Sequence, residues 1–280
     1  MTPPPDPFSR TRMLLGDAAM VRLDRSRVAI VGLGGVGAAA AEALARAGVG
    51  SLRLIDCDRI AASDINRQLM ALPATIGQAK VDALGARLLS INPALHIEPH
   101  AAFFHTDTAD QLIPAELDFV IDAIDSLNPK VALIRHCAAL EVPLICCLGA
   151  SSRTDPFQLQ QTTLDKTRHC PLARALRRRL RRDRIPDTVP VIYSCEPPQP
   201  TLTPVYDTEP VYRRGRLRRT LPSSPTLPAI VGLMAANHVM LSLAQADTAS
   251  EPHCAAADAP EKADRTWYDE NRSMITKETP

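Results

Sequence analysis

The sequence predicts an α/β fold, a doubly wound and mainly parallel β-sheet with helices on both faces, followed by a basic, proline-rich C-terminal portion. Two apolar runs, at 28–31 and 143–148, and a third at 118–125 that ends in acidic residues, lack the polar alternation of half-exposed strands. Helical segments separate these runs, and strands that alternate with helices form parallel sheets. With 280 residues, the chain can bury one large core around such a sheet.

The first strand leads into a cluster of glycines. It covers 28–31, and an alanine-rich helix follows the glycines to about Arg46. Glycine lets backbone amides approach a phosphate closely, and the helix N-terminus adds partial positive charge there. Strand, glycine turn and helix together predict the nucleotide-binding opening of a Rossmann-like sheet. The glycines are Gly32, Gly34, Gly35 and Gly37.

Charged residues beyond the strands indicate which nucleotide is bound. Asp56 follows the second strand, where a carboxylate can hold a ribose hydroxyl, so the glycines and Asp56 fit NAD as well as ATP. Arg67 and Lys80 are expected near the same strand ends, and two cations suit the several charges of a triphosphate. They therefore favour ATP. Asp125, at the tip of a buried strand, fits either a Mg²⁺ ligand or the N-cap of the next helix.

The other elements follow from periodicity and from turn residues. Up to residue 150 we expect a helix at 12–24, a strand at 51–55, a helix from 77 to about 89, strands at 96–100 and 118–125, a helix at 130–139 and a strand at 143–148. After residue 150 we expect a strand at 157–162, a basic helix at 172–183, an irregular stretch at 186–228 with ten of the 25 prolines, and an apolar helix at 227–246.

The apolar helix at 227–246 is long enough to cross a membrane. Asn237 and His238 near its centre, together with many small residues, favour a core helix instead, so membrane association is not expected. The N-terminus lacks the apolar segment of a signal peptide. Seven cysteines occur without any Cys-x-x-Cys pair, which argues against structural zinc and against a disulfide framework. We therefore expect a cytoplasmic protein.

Charge and composition divide the chain into segments. Residues 150–220 carry fifteen Arg and Lys against seven Asp and Glu, a local net charge of +8, which suggests a polyanionic partner. The expected segments are a flexible N-terminus at 1–9, an ATP-binding adenylyltransferase domain at 10–165, a basic segment with the apolar helix that completes the fold at 166–246, and an acidic, disordered tail at 247–280.

Five motifs in order make the sequence resemble the superfamily of ubiquitin-activating-enzyme-like adenylyltransferases, over about residues 8–165. The motifs are Gly32-Leu33-Gly34-Gly35-Val36-Gly37, Asp56-Cys57-Asp58, Asn66-Arg67-Gln68, Gly77-Gln78-Ala79-Lys80 and Asp122-Ala123-Ile124-Asp125. A narrower resemblance is to the tRNA threonylcarbamoyladenosine dehydratase family. It is carried by Phe8-Ser9-Arg10-Thr11, Val120-Ile121-Asp122-Ala123-Ile124-Asp125-Ser126 with Pro129-Lys130, Val191-Ile192-Tyr193-Ser194 and Glu196-Pro197. The absence of paired zinc cysteines also fits this branch.

The resemblance implies a role for each matching residue. Asp56 and Asp58 belong to the nucleotide site, with Asp56 on the ribose of ATP, and the four glycines line the phosphate cradle. Arg67 and Lys80 contact the phosphates, and Asp125 binds Mg²⁺. Arg10 reaches into the neighbouring subunit's site, which implies a homodimer. Arg10, Arg67, Lys80 and Asp125 are the implied catalytic residues.

Two residues depart from the superfamily pattern. Pro7 replaces the usual basic residue before the Phe8-Ser9-Arg10 run. Asp64 stands where an Asn is usual, three residues before Arg67. A carboxylate at this position could pair with Arg67 or repel ATP.

The implied reaction is ATP-dependent dehydration of N6-threonylcarbamoyladenosine in tRNA, next to the anticodon. The basic helix independently suits RNA, because arginines supply most sequence-independent affinity for phosphates; a merely solvated basic helix is the alternative. The candidate tRNA-binding residues are Arg174, Arg177, Arg178, Arg181 and Arg182. Adenylation of a ubiquitin-like sulfur-carrier protein is the alternative function, and a nucleotide-sensing RNA-binding module without catalysis is the third. A sulfur-transfer protein is a further partner that the resemblance allows.

Overall fold

The computed structural model describes residues 6–202 and 221–245. A seven-stranded sheet has the spatial order β3-β2-β1-β4-β5-β7-β6, and only β6 runs antiparallel to its neighbour. The strands are β1 (Arg27–Val31), β2 (Ser51–Ile55), β3 (His96–His100), β4 (Phe119–Asp122), β5 (Leu144–Cys147), β6 (Leu159–Thr163) and β7 (Pro190–Ser194). The predicted doubly wound, mainly parallel α/β fold is confirmed.

Eight helices accompany the sheet in the described part of the chain. They are α1 (Ser9–Leu15), α2 (Asp17–Arg25), α3 (Gly35–Ala47), α4 (Lys80–Ile91), α5 (Ala109–Leu112), α6 (Leu127–Leu140), α7 (Pro171–Arg182) and α8 (Leu227–Ala244). Alternate residues of the strands enter two separate cores. Ile30 and Leu54 pack on the side of α3, α4 and α8, whereas Ala29 and Val31 pack on the side of α6 and α7.

The winding of the sheet reverses between β1 and β4. From β1 the chain moves outward through β2 to β3, then returns to pair β4 with the other side of β1. Ligands of doubly wound sheets bind beyond the carboxyl ends of the strands at such a reversal. The glycine turn follows β1 and Asp125 follows β4, so both lie at this edge, which we call the carboxyl edge.

Helix α8 is the last described element, and it packs directly on α3. A Cβ atom on Gly232 would lie 2.2 Å from the carbonyl oxygen of Val36 and 3.0 Å from the Cβ of Ala39, so the two helices touch through a glycine. Among the described helices, α8 alone has the length and apolar character of a membrane span. Here its buried residues form part of the core with α3, as predicted.

Two expectations about elements are wrong. The helix predicted at 12–24 is two helices, because Gly16 has φ +83°, a left-handed conformation that ends α1 and begins α2. The stretch at 186–228 is not irregular throughout, since β7 occupies Pro190–Ser194 in the sheet between β5 and β6. The basic run at 213–219 and the acidic tail at 247–280 lie outside the described residues.

Candidate active site

The glycine turn after β1 is shaped by close backbone contacts. Gly32 has φ +91°, and a Cβ there would lie 2.8 Å from the carbonyl oxygen of Ala123. A Cβ on Gly37 would lie 1.9 Å from the carbonyl oxygen of Gly32, so neither Gly32 nor Gly37 has room for a side chain. Gly34 is the N-cap of α3 without a side chain to bond the first amides. These amides are therefore available to a phosphate.

The far wall of the turn comes from two later segments. A Cβ on Gly35 would lie 3.0 Å from the carbonyl oxygen of Arg67 and 3.0 Å from the Cβ of Pro228, at the start of α8. The nearest atom to a Cβ on Gly34 is the side-chain nitrogen of Gln68, at 4.0 Å. The structure thus brings the predicted glycines and the Arg67 segment together.

Asp56 is joined to the glycine turn. One carboxylate oxygen accepts a hydrogen bond from the backbone N–H of Leu33 at 2.6 Å, and the other accepts one from the N–H of Asp58 at 2.8 Å. Burial raises the pKa of Asp56, while the nearby Lys80 ammonium opposes that shift. The residue predicted to hold a ribose also fixes the turn that receives the phosphates.

Lys80 lies among carboxylates as the first residue of α4. Its Nζ is 3.2 Å from a carboxylate oxygen of Asp58 and 4.0 Å from one of Asp64, and Lys80 itself is 7% exposed. Burial disfavours the ammonium, but the carboxylates of Asp56, Asp58 and Asp64 outweigh it and raise the pKa of Lys80. Lys80 is therefore a fixed positive charge at the carboxyl edge.

Asp64, which stands where the superfamily usually has Asn, pairs with Arg67 in the structure. One carboxylate oxygen is 2.6 Å from the side-chain nitrogen of Gln68 and 3.3 Å from the Nη2 of Arg67. The other accepts from the N–H of Ala61 at 3.0 Å. Asp64 is almost fully buried, and it links Arg67 and Lys80 into one cluster.

Asp125 is exposed in the turn between β4 and α6, beside a buried ion pair. Asp122, the last residue of β4, and Lys130 of α6 are fully buried, with Lys130 Nζ 2.8 Å from a carboxylate oxygen of Asp122. The sequence motifs contain both residues but assign no role of its own to either Asp122 or Lys130. A lysine within the apolar helix segment that follows an acid-tipped strand was the available signal.

Two groups could hold a metal ion at this edge. Asp125 offers an exposed carboxylate, the hard oxygen ligand that Mg²⁺ prefers. Asp56, Cys57 and Asp58 place ligand atoms within 4.8 Å of one another. Burial, together with the two flanking carboxylates, raises the pKa of the Cys57 thiol to about 12, and Lys80 already pairs with Asp58, so this triad suits a metal poorly.

Arg10 lies away from these contacts, on the exposed surface of α1. It lines a surface depression with Met13 and Leu14, which are 87% and 78% exposed. Within the described residues, no hydrogen bond or ion pair joins Arg10 to Lys80, Arg67 or Asp125. The chain's own fold therefore does not bring Arg10 into its own site.

The arginines of α7 divide into two groups. Arg177 turns inward, where its guanidinium donates to the carbonyl oxygens of Leu164 and Thr167. The exposed arginines fall on one stripe of the helix, opposite the buried Leu176 and Leu180, and we call them the arginine stripe. They are Arg174, Arg178, Arg181 and Arg182. Arg181 pairs with Asp187 and Arg182 with Asp183, both near the surface.

Comparisons with known proteins show the family to which this chain belongs. The ThiF family model matches residues 8–273. The tRNA threonylcarbamoyladenosine dehydratase of Bacillus subtilis is 37% identical over 240 residues, which cover 84% of this chain and 94% of the relative. Crystal structures of the Escherichia coli tRNA N6-threonylcarbamoyladenosine dehydratase with AMP and with ATP superpose with TM-scores of 0.75 and 0.74. Each is 33% identical and covers 84% of this chain and 93% of that one.

Proposed function

Because the chain belongs to the ThiF family, and within it resembles the dehydratases along nearly their whole length, we propose that it is an ATP-dependent tRNA threonylcarbamoyladenosine dehydratase. It cyclises N6-threonylcarbamoyladenosine in tRNA, next to the anticodon. The observation that carries this proposal is the convergence of the glycine turn, Asp56, Lys80 and Arg67 at the carboxyl edge. A cytoplasmic location follows from a tRNA substrate.

ATP binds with its phosphates in the glycine turn. The free amides at the start of α3 receive the phosphate oxygens, and Asp56 takes a ribose hydroxyl while it keeps Leu33 in place. Lys80 and Arg67 exchange their present carboxylate partners for phosphate oxygens. This exchange keeps both cations neutralised, whereas the buried carboxylate of Asp64 loses its cationic partners to the phosphates.

Asp125 is the proposed Mg²⁺ ligand. Its exposed carboxylate at the carboxyl end of β4 fits the metal's preference for hard oxygen ligands. When bound, Mg²⁺ neutralises the charge that develops on the departing pyrophosphate. The turn that carries Asp125 packs against Gly32, so the proposed metal ligand lies in a segment that directly contacts the phosphate cradle.

The chemistry needs no nucleophile from the protein. The threonyl carboxylate attacks the α-phosphate of ATP, the bond to the β-phosphate breaks and pyrophosphate leaves. The carbamoyl group of the same nucleoside then attacks the acyl carbonyl and AMP leaves, so the net change is loss of water from the modified base and cleavage of ATP to AMP and pyrophosphate. Because the second attack is intramolecular, positioning supplies much of its rate.

A homodimer completes the site in this proposal. Within the described residues, Arg10 makes no hydrogen bond or ion pair to Lys80, Arg67 or Asp125, and the apolar side chains of Met13 and Leu14 beside it are exposed. A second copy that covers this surface buries the apolar groups and delivers Arg10 to the neighbouring phosphates. The arginine stripe on α7 remains outside and serves the tRNA backbone.

The test of the proposed function is ATP cleavage that depends on the RNA substrate. Purified protein with Mg²⁺ and ATP is mixed with tRNA that carries threonylcarbamoyladenosine, and AMP, pyrophosphate and the cyclic nucleoside are measured. We expect all three products in equal amounts, and unmodified tRNA gives none. Turnover that needs instead a small protein with a Gly-Gly tail would assign the chain to sulfur-carrier activation. ATP binding without turnover on either substrate would assign it to a nucleotide-sensing module.

A further inference from the structure

The buried ion pair between Lys130 and Asp122 joins the ends of three strands. Lys130 Nζ is 2.8 Å from the Asp122 carboxylate and also donates to the carbonyl oxygen of Cys147, the last residue of β5, at 3.1 Å. The residue after Asp122, Ala123, donates its N–H to the carbonyl oxygen of Val31 at the end of β1 at 2.9 Å. The pair thus lies where β1, β4 and β5 all terminate.

The same pair fixes the start of the Asp125 turn. Asp122 accepts a hydrogen bond from the N–H of Ile124 at 3.1 Å, which folds the chain back directly after β4. The carbonyl of Ala123 in this turn faces Gly32, where no Cβ would fit. A shift of this turn would therefore move Asp125 and press on the phosphate cradle together.

Stability alone is a weak reason for such a pair. Two fully buried charges lose their hydration, and their replacement by uncharged groups of similar volume is often neutral or even stabilising. Lys130 and Asp122 are both 0% exposed, so the full desolvation cost applies. The Lys130 ammonium instead donates hydrogen bonds to the ends of two strands, at the carbonyl oxygens of Asp122 and Cys147. An apolar side chain could not make these hydrogen bonds.

We propose that Lys130 is a positioning residue for Asp125: with Asp122 it holds the turn after β4 in the geometry that binds Mg²⁺ beside the ATP phosphates. This inference rests on the proposed metal role of Asp125. Lys130 itself, fully buried in α6, contacts neither metal nor nucleotide and acts only through the turn. The strand ends of β4 and β5 are the parts it fixes.

The experiment is a double-mutant cycle on Mg²⁺-dependent ATP binding, measured by calorimetry without tRNA. The double variant Lys130→Met/Asp122→Asn removes both charges, and the Asn oxygen still accepts from Ile124. We expect it to fold and to need about tenfold more Mg²⁺ for half-maximal ATP binding. In an Asp125→Ala background the same double substitution should cause no further shift, because the ligand it positions is gone.

Arg53→Met/Glu98→Gln is the matched control, since it removes an ion pair between β2 and β3 away from the Asp125 turn. It should leave the Mg²⁺ requirement unchanged. Should the charge-free variant fail to fold, Lys130→Arg carries the test, because it keeps the charge opposite Asp122 but changes the hydrogen bonds to the strand ends; the expected shift is about threefold.

Equal shifts with and without Asp125 would overturn the positioning role and leave the metal role standing. No effect of Asp125→Ala on the Mg²⁺ requirement would overturn both the metal role and this inference. A lower melting temperature with an unchanged Mg²⁺ requirement would mean that the pair serves stability alone.

Discussion

Asp64 is an acid among the cations that are proposed to bind ATP. Its carboxylate touches Arg67 at 3.3 Å and lies 4.0 Å from Lys80, and the side chain is almost fully buried. It orients both cations while it also competes with phosphate for their charge. Asp64 therefore has two opposite effects on ATP binding. It places Arg67 and Lys80 where they can meet the phosphates, and its negative charge competes with the phosphates for both cations.

Asp64→Asn should tighten ATP binding. The amide keeps an oxygen for the N–H of Ala61 but no longer attracts Lys80 or Arg67 as a charge. Even at the dielectric constant of water, the loss of one opposite charge at 4 Å changes the binding free energy by about 1 kcal/mol, so the ATP affinity should rise by at least roughly fivefold. Calorimetric titration with ATP measures it. Asp82→Asn is the control, because Asp82 is exposed on α4 and takes no part in these contacts; it should leave the ATP affinity unchanged. Weaker binding by Asp64→Asn would mean that orientation of the cations outweighs the competition.

At this scale the sequence predicts some contacts and misses others for a physical reason. Asp56, Lys80 and the glycines follow directly from strand ends that converge, so their proximity could be predicted from order along the chain. Lys130 could not, because the burial of a lysine depends on which strand ends its side chain reaches. From the sequence, Asp64 could either pair with Arg67 or repel ATP. Only its distances to Arg67 and Lys80 show that it pairs with the cations.

The contact between α3 and α8 depends on one glycine. Gly232→Ala would place a methyl group 2.2 Å from the backbone oxygen of Val36, so α8 must move away from the helix that carries the phosphate cradle. We expect a loss of about 2 kcal/mol in the free energy of unfolding, and roughly 4–8 °C in melting temperature. Scanning calorimetry measures both.

Gly85→Ala in α4 is the matched control for this substitution. The nearest atom to a Cβ at Gly85 is a methyl carbon of Ile97 at 3.4 Å, an ordinary contact. Since alanine favours a helix over glycine, Gly85→Ala should be neutral or stabilise by up to about 1 kcal/mol. Equal destabilisation by both variants would mean that helix packing against α3 is not the reason.

The arginine stripe of α7 should bind tRNA through charge alone. Replacement of Arg174, Arg178, Arg181 and Arg182 by Gln should weaken tRNA binding and lower the slope of log Kd against log salt by about 3. ATP binding should not change. Filter binding across a salt series measures the slope, with Arg46→Gln on α3 as the control. An unchanged slope would place the tRNA on another surface.

Whether a helix or strand can be predicted from the sequence depends on whether local or tertiary interactions form it. Buried strands such as β1 and β5 follow from composition, because apolar runs must be covered on both faces. The sequence did not predict strand β7, because it has only five residues and prolines flank it at 190–198. Its extended conformation is stabilised by pairing with the neighbouring strands β5 and β6. Gly16 lies within the helix predicted at 12–24, and only its left-handed φ shows that α1 and α2 are separate.

For the whole molecule, the proposed homodimer predicts complementation between two inactive variants. Arg10→Ala should fail because it lacks the residue that enters the partner's site, and Lys80→Ala because it lacks a residue of its own site. Mixed and allowed to exchange subunits, they form heterodimers with one intact site, so about a quarter of wild-type turnover should return. Turnover of modified tRNA measures it. No recovery, with exchange verified by mass, would place Arg10 outside the neighbouring site.

The contact of Pro228 with Gly35 has a consequence for how the protein is made. The glycine turn leaves the ribosome early, but its wall at α8 is synthesised about 190 residues later. At typical translation rates this gap lasts roughly 10–40 s, during which α3 has an uncovered apolar face. The nascent chain therefore cannot complete its ATP site during that interval, and a chaperone that shields alanine-rich α3 would act before α8 appears.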